Sequence, residues 1–158
     1  MKYLLITLLS FFIYSVSFGQ EITDQVKGNW IISKFQGAGE SGITYQLAQM
    51  FVGDTITINN FIRQSLEENE YIKAAGISPV RCEFHPINTQ KIEDTEKHFS
   101  DKFKLKPILL GIKEPSSVFL IKTDCSDRFF KEIYFDVNNN KLFLYTEGMV
   151  FILDRIEQ

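Results

Sequence analysis

Four short apolar-rich runs near the end of the chain limit its fold more than any other feature. They cover Val118–Asp124, Lys131–Val137, Lys141–Glu147 and Met149–Ile156. The later runs are separated by Asn138-Asn139-Asn140 and by Glu147-Gly148, and Asn and Gly tolerate the positive φ angles of tight turns. Strands joined by such short turns pair as an antiparallel meander. We therefore expect a mostly β fold.

The chain before this meander carries weaker signals. Strands are predicted from their β-branched and aromatic content at Asn29–Phe35, Thr55–Ile62 and Val80–Ile87. A short helix is predicted over Ile43–Phe51, with Gly53 just past its end. The charged segment Glu93–Phe103 indicates an exposed helix or helical turn. Residues 64–75 fit either a loop or a short helix, and residues 109–114 are rich in turn signals with room for a short strand.

Residues 1–19 have the pattern of a secretory signal peptide. Lys2 precedes an apolar run from Tyr3 to Ile13, and Ser17 and Gly19 occupy the small positions before a cleavage site. The apolar run is too short for a comfortable membrane span. We therefore expect a mature chain of one domain over residues 20–158, exported to the periplasm or the extracellular space, with no stable membrane insertion after cleavage.

The two cysteines of the chain are Cys82 and Cys125. An even number of cysteines in an exported protein favours a disulfide. A bridge between them would constrain the unfolded chain by about 4 kcal/mol on the chain-entropy model. Two separate buried thiols are the alternative. A catalytic thiol is not expected, because neither cysteine lies in a recognised nucleophile motif and only His85 and His98 are available as bases.

The composition provides enough aromatic residues for a core and argues against nucleic-acid, metal and cofactor partners. The 158 residues include 15 Phe, 6 Tyr and 1 Trp, enough for the interior of a barrel or a sandwich. The formal net charge is −3 and no basic cluster is present, so we expect no nucleic-acid partner. Two histidines and no paired-cysteine spacing argue against a metal site. The chain has no dinucleotide or phosphate-binding motif, so no cofactor is expected.

A tripeptide at the start of the first predicted strand carries a family resemblance. Gly28-Asn29-Trp30 resembles the G-x-W signature of lipocalins and lipocalin-like barrels, and Arg155 matches their late basic residue. The order of leader, G-x-W strand, short helix and terminal meander is also similar to small exported lipocalin-like domains of bacteria. The resemblance implies an antiparallel up-and-down lipocalin-like barrel with one or two short helices. It further implies structural roles for Trp30, which would close one barrel end, and for Arg155, which would pack within about 6 Å of its ring.

The resemblance also implies a binding protein rather than an enzyme. The leading expectation is a small apolar or amphipathic ligand inside the barrel, since an eight-stranded barrel is wide enough for one such molecule. The candidate wall residues are Phe119, Ile121, Phe135, Phe143, Tyr145 and Phe151. The alternative is a protein-binding or inhibitor module that acts through barrel-end loops. A barrel enzyme is the third class, and no catalytic residue is assigned because the runs of carboxylates lie in uniformly polar segments.

Overall fold

The computed structural model describes residues 20–39, 44–65, 81–113 and 117–157. The predicted signal peptide therefore lies outside the described residues, as do residues 66–75 of the predicted loop or helix. The strands of the described part are β1 Gly28–Gly37, β2 Thr55–Ile58, β3 Phe61–Gln64, β4 Arg81–Glu83, β5 Pro86–Lys91, β6 Val118–Thr123, β7 Glu132–Asp136, β8 Lys141–Thr146 and β9 Met149–Arg155. Its helices are α1 over 20–26, α2 Tyr45–Met50, α3 Thr95–Phe103 and a 3-10 helix Pro107–Leu110.

These strands form one antiparallel sheet in the order β4-β3-β2-β1-β9-β8-β7-β6-β5. Neighbours in the sheet are neighbours in the chain, except that the first strand, β1, pairs with the last strand, β9. The sheet curls into a half-barrel. Its two edge strands, β4 and β5, are separated in the chain by only Phe84 and His85. The prediction of a mostly β, antiparallel up-and-down fold with short helices is confirmed.

The strand predictions fail where a turn interrupts an apolar run. The four terminal runs form β6 to β9 as predicted. The single strand predicted over Thr55–Ile62 is wrong, because the chain reverses at Asn59-Asn60 between β2 and β3. The Asn59 side chain accepts a hydrogen bond from the backbone N–H of Phe61 and so stabilises this turn. The strand predicted over Val80–Ile87 is likewise broken at Phe84-His85, and leucines of the turn-rich stretch 109–114 belong to the 3-10 helix.

Helices form near both predicted positions and begin with side-chain caps. α2 lies within the predicted span Ile43–Phe51, and α3 fills most of Glu93–Phe103. Thr44 caps α2 and Asp94 caps α3, each side chain accepting a hydrogen bond from the backbone N–H three residues further on. α3 ends at Lys104, which adopts a left-handed conformation with φ of 56°. The caps thus fix where both short helices begin.

Two clusters of buried residues lie on opposite faces of the sheet. One draws on strands all around the curl and therefore fills its concave side; this inner cluster includes Trp30, Ile32, Ile56, Ile58, Ile62, Phe119, Ile121, Phe135, Leu142, Leu144, Phe151 and Leu153. The other, the outer cluster, joins β6–β9 to α3 and includes Phe99, Phe103, Val118, Leu120, Tyr134, Phe143, Val150 and Ile152. Because β8 and β9 are covered on both faces, both sets of alternating positions along them are apolar.

The helices before and after β1 cover different ends of the inner cluster. Val26 of α1 accepts a hydrogen bond from the indole of Trp30 through its carbonyl oxygen, at 2.9 Å. The ring of Tyr45, at the start of α2, packs on Phe35 with 4.8 Å between ring centroids. Trp30 lies near the start of β1 and Phe35 near its end, five residues along an extended strand. The half-barrel is therefore covered by α1 at one end and by α2 at the other.

Candidate functional site

Arg155 and Trp30 pack against each other at the α1 end of the half-barrel. The two residues are direct cross-strand partners on β9 and β1. The guanidinium carbon of Arg155 lies 4.3 Å from the centroid of the indole ring, so the predicted contact is confirmed. Trp30 itself is fully buried. The geometry is that of a structural plug rather than of an open ligand contact.

The side chains of Arg155 and Trp30 also donate hydrogen bonds to the backbone carbonyl groups at the end of helix α1. The last carbonyl groups of a helix have no partner within the helix. The Arg155 guanidinium donates to the carbonyl oxygens of Gln25 and Lys27, and Trp30 donates to that of Val26. The Arg155 Nε also donates to the Asn140 side chain at 3.0 Å. This network joins α1, the first strand, the last strand and the turn between β7 and β8.

The disulfide predicted between Cys82 and Cys125 is confirmed. Cys82 lies on the edge strand β4, and Cys125 follows the end of β6. Both sulfur-bearing residues pack with the inner cluster. The backbone N–H of Asp124 also donates to the carbonyl oxygen of His85, beside the bridge. The disulfide therefore fastens one edge of the curled sheet to the neighbourhood of the other.

The six predicted wall residues do not share one surface. Phe119, Ile121, Phe135 and Phe151 belong to the inner cluster. Phe143 lies in the outer cluster, and Tyr145 packs against that cluster on its margin. The β8–β9 register explains the division, because Phe143 pairs with Ile152 and Leu144 pairs with Phe151. The prediction that Phe143 and Tyr145 share a wall with the other four residues is therefore wrong, because side chains alternate between faces along a strand.

An aromatic group lines the α2 end of the inner cluster. Phe51 stacks on Phe129 with 6.4 Å between ring centroids, and both contact Phe151, at 5.6 and 5.3 Å. Phe35 and Tyr45 extend this group toward the surface. Tyr45 is 69% exposed, so the group reaches from the interior to solvent. We call these five residues the aromatic mouth.

Two polar groups interrupt the apolar inner face. Among the described residues, two buried side-chain atoms have no hydrogen-bond partner: Asp54 Oδ2 and Gln64 Nε2. Gln64 is 6% exposed and pairs with Ile56 across β2 and β3, so its side chain shares the inner face. Asp54 lies opposite Ile32, whose backbone N–H donates to the Asp54 carbonyl oxygen at 2.9 Å, so its side chain also takes the inner face. We call these two side chains the Asp54–Gln64 pair.

Burial changes the acidity of Asp54. Partial removal from water raises the pKa of its carboxyl group to about 6. The backbone N–H of Asp54 donates to the carbonyl oxygen of Phe51 at 3.1 Å. A single backbone turn therefore separates Asp54 from Phe51 of the aromatic mouth. An acidic group and an amide thus lie on a face that is mostly aliphatic and aromatic.

The Asp54–Gln64 pair was not among the residues expected from the sequence. The sequence predicts one strand over Thr55–Ile62, which leaves Gln64 at the start of the segment that fits either a loop or a short helix. Recognition of the Asn59-Asn60 turn would have given the strand Phe61–Gln64. Alternation along that strand then places Gln64 on the face of the buried Ile62.

A second polar cluster lies on the outer face, beneath α3. His98 Nε2 is 3.3 Å from the Tyr134 hydroxyl, which donates to Glu132 at 3.3 Å, and Lys102 pairs with the same carboxylate. Burial lowers the pKa of His98, and the positive charge of Lys102 lowers it further. Burial and Glu132 raise the pKa of the Tyr134 hydroxyl. Both rings are therefore held uncharged, which fits a cluster that packs α3 onto the sheet.

A surface groove of about 510 Å³ runs beside this cluster, between β5 and α3. Its lining mixes both charge signs, with Lys91, Lys97 and Lys102 against Glu93, Asp94 and Asp101. The groove has no dominant charge that would select an ion. No group of three or more His, Cys, Asp or Glu side chains in the described ranges is arranged to hold a metal ion.

Comparison of the chain with protein-family models, with curated proteins and with solved structures finds no match in any of the three. Within the part of the chain that the structure describes, no helix is both long enough and apolar enough to span a membrane.

Proposed function

We propose that this chain is an exported, lipocalin-like binding protein that holds one small amphipathic molecule on the inner side of the half-barrel. The observation that carries the proposal is the Asp54–Gln64 pair. Buried polar groups in folded proteins are nearly always hydrogen-bonded, and an unsatisfied one costs about 1–3 kcal/mol. A ligand with a polar end would satisfy both side chains, while its apolar part would lie against the inner face toward the aromatic mouth.

The lipocalin-like part of the proposal draws on the position of the G-x-W tripeptide. Gly28-Asn29-Trp30 opens β1, and Arg155 on the final strand packs over the indole ring. The pairing of the first strand with the last is what a closed up-and-down barrel requires. Export is supported by the leader pattern of residues 1–19 and by the Cys82–Cys125 bridge, since disulfides persist in oxidising compartments.

Binding is favoured over catalysis by the chemistry of the polar groups. Acid–base catalysis generally uses two titratable groups held in different environments. In the Asp54–Gln64 pair, the carboxyl group titrates and the amide does not. The His98 cluster lies on the other face of the sheet, under α3, with its histidine and tyrosine held uncharged.

A second candidate function is a protein-binding or inhibitor module. The observation that favours it is the close packing of large side chains within the half-barrel, such as Trp30 against Phe135 at 6.2 Å between ring centroids. Ile108 and Leu109 on the 3-10 helix are also 64% and 54% exposed. A partner that binds an exposed surface needs no space inside the sheet.

The test is to recover what the native protein carries. The protein should be produced with its leader, purified without denaturant, and measured intact by native mass spectrometry and again after extraction with organic solvent. We expect the mass of a chain starting near Gln20, together with a non-covalent small-molecule adduct that is lost on extraction. Retention of Met1 would contradict export.

Two variants make this test specific to the site. Replacement of Gln64 by Leu is expected to reduce the adduct, whereas replacement of the exposed, outward-facing Arg63 by Gln is not. An equal adduct on both variants would contradict the site. A stoichiometric protein partner without any adduct would favour the second candidate.

A further inference from the structure

The two side chains of the Asp54–Gln64 pair have opposite hydrogen-bonding requirements. An ionised carboxylate only accepts hydrogen bonds, and the Nε2 end of an amide only donates them. In the described part of the chain, neither Asp54 Oδ2 nor Gln64 Nε2 bonds to the other or to any third group. The polar group that completes the site must therefore donate to one side chain and accept from the other.

The register of β2 and β3 brings the two side chains within reach of one bridging group. Gln64 pairs directly with Ile56. Asp54 lies two residues before Ile56, just outside β2, and its carbonyl oxygen accepts from the Ile32 N–H at 2.9 Å, which extends the β1–β2 register by one pair. Such diagonal neighbours have Cα atoms roughly 7–8 Å apart, and their side chains approach more closely. One oxygen atom with a hydrogen bond of about 2.8 Å to each side spans a gap of this kind.

We infer that the polar end of the ligand is an uncharged group that both donates and accepts a hydrogen bond, as a hydroxyl does, held between Asp54 and Gln64; this inference rests on the proposed function. The hydroxyl hydrogen is donated to the Asp54 carboxylate. The hydroxyl oxygen accepts from the Gln64 amide. The ligand class is therefore a long-chain or polycyclic alcohol rather than an amphiphile with a charged end.

Charged head groups fit the same two side chains less well. A carboxylate would accept from Gln64 but would place a second negative charge beside Asp54 on a partly desolvated face. An ammonium would donate to Asp54 but would leave the Gln64 N–H without an acceptor, and moving its charge out of water carries its own cost. The geometry therefore discriminates against both charged ends for different physical reasons.

The experiment compares three molecules with the same apolar chain: 1-decanol, decanoic acid and decylamine. Binding to the mature protein is measured by isothermal titration calorimetry at neutral pH. We expect 1-decanol to bind about twofold to tenfold more tightly than either charged molecule, which is the range that one well-made hydrogen bond contributes. Gln64→Leu should weaken 1-decanol binding by about fivefold to tenfold, and Asp54→Asn should raise the affinity for decanoic acid.

Arg63→Gln is the matched control, since Arg63 is exposed, precedes Gln64 and faces away from the inner cluster. It should leave all three affinities unchanged. Urea unfolding of each variant checks that lost binding is not lost folding. Binding of none of the three molecules would overturn the proposed function and this inference with it. Binding with no preference for the alcohol, tighter binding of the acid or the amine, or no effect of Gln64→Leu would overturn the inference alone.

Discussion

The guanidinium of Arg155 lies over the ring of Trp30, with 4.3 Å between the guanidinium carbon and the ring centroid. One residue lies near the start of β1 and the other ends β9, so this contact joins the beginning and the end of the sheet. The guanidinium also donates to two backbone carbonyl groups at the end of α1. The Arg155 side chain thus connects α1 with β1 and β9, which are adjacent strands at the centre of the sheet.

Removal of the Arg155 side chain should destabilise the fold. We expect Arg155→Ala to lower the free energy of unfolding by about 1–3 kcal/mol, from the cation–π contact and the carbonyl groups left without their donor. Arg155→Lys keeps the charge without the planar fork and should cost less. Urea unfolding measures both, with Arg128→Ala, at an exposed arginine, as the control. Equal stability of Arg155→Ala and the natural chain would show that the contact is incidental.

Gly28 should be intolerant of a side chain because of this arginine. Its φ is +144°, and an added Cβ would lie 2.7 Å from Arg155 Nη1. We expect Gly28→Ala to lower the free energy of unfolding by about 2 kcal/mol, through backbone strain and displacement of the guanidinium. Gly37→Ala is the matched control at the other end of β1, where a Cβ meets nothing within 4 Å. Equal effects of the two substitutions on urea unfolding would contradict this account of the glycine in the G-x-W tripeptide.

The terminal meander was predictable because local chemistry alone determines it. Apolar runs of strand length alternate there with Asn and Glu-Gly turns, and both Asn140 and Glu147 adopt positive φ. The strand boundaries earlier in the chain were not predictable in this way. Asn59-Asn60 carries the same turn signal but lies inside a run of β-branched residues, which suggested one continuous strand. Tertiary pairing of β2 with β3 decides that the chain turns there.

The candidate site was less predictable than the fold, because alternation shows which residues share a face but not which face is inside. Phe143 and Tyr145 are as aromatic as Phe151, yet they lie under α3. Coverage of β8 on both faces removes the polar positions that would have marked the outside. The Asp54–Gln64 pair is visible only after the turn at Asn59-Asn60 fixes the register of β3.

Reduction of the Cys82–Cys125 bridge should lower stability. The bridge closes a loop with a sequence separation of 43 residues. On the chain-entropy model, its loss should reduce the free energy of unfolding by about 2–4 kcal/mol. Thermal unfolding with and without reductant measures this effect. The double variant Cys82→Ser with Cys125→Ser should be insensitive to reductant, and a natural chain that is equally insensitive would contradict the prediction.

Because of Asp54, the free energy of unfolding should decrease as the pH rises across a mildly acidic range. Its carboxyl pKa is raised from 3.8 to about 6 on folding, so the folded state binds more protons than the unfolded state between these values. The free energy of unfolding should therefore decrease from about pH 4 to about pH 6, by about 1 kcal/mol after allowance for the partial exposure of the group. The stability difference between the natural chain and Asp54→Asn isolates this contribution, because other titrating groups cancel. A difference that is flat with pH would show that Asp54 is not perturbed by burial.

Replacement of Gln64 by Leu should stabilise the ligand-free protein. The Gln64 amide is buried on an apolar face, and its Nε2 has no bonding partner among the described residues. An apolar side chain of similar size removes that desolvation cost, and we expect a gain of about 1 kcal/mol in the free energy of unfolding.

Thr123→Val is the matched comparison for this last substitution. Thr123 is also buried, but its hydroxyl donates to the Phe130 carbonyl oxygen at 2.7 Å and accepts from the Cys125 N–H. Its replacement leaves two partners unsatisfied and should cost about 1–2 kcal/mol. Urea unfolding of both variants, measured on protein extracted free of any bound molecule, decides between the two effects. If Gln64→Leu is less stable than the natural chain, the amide serves the fold. If Gln64→Leu is more stable but binds 1-decanol poorly, the amide is retained for binding at a cost to stability.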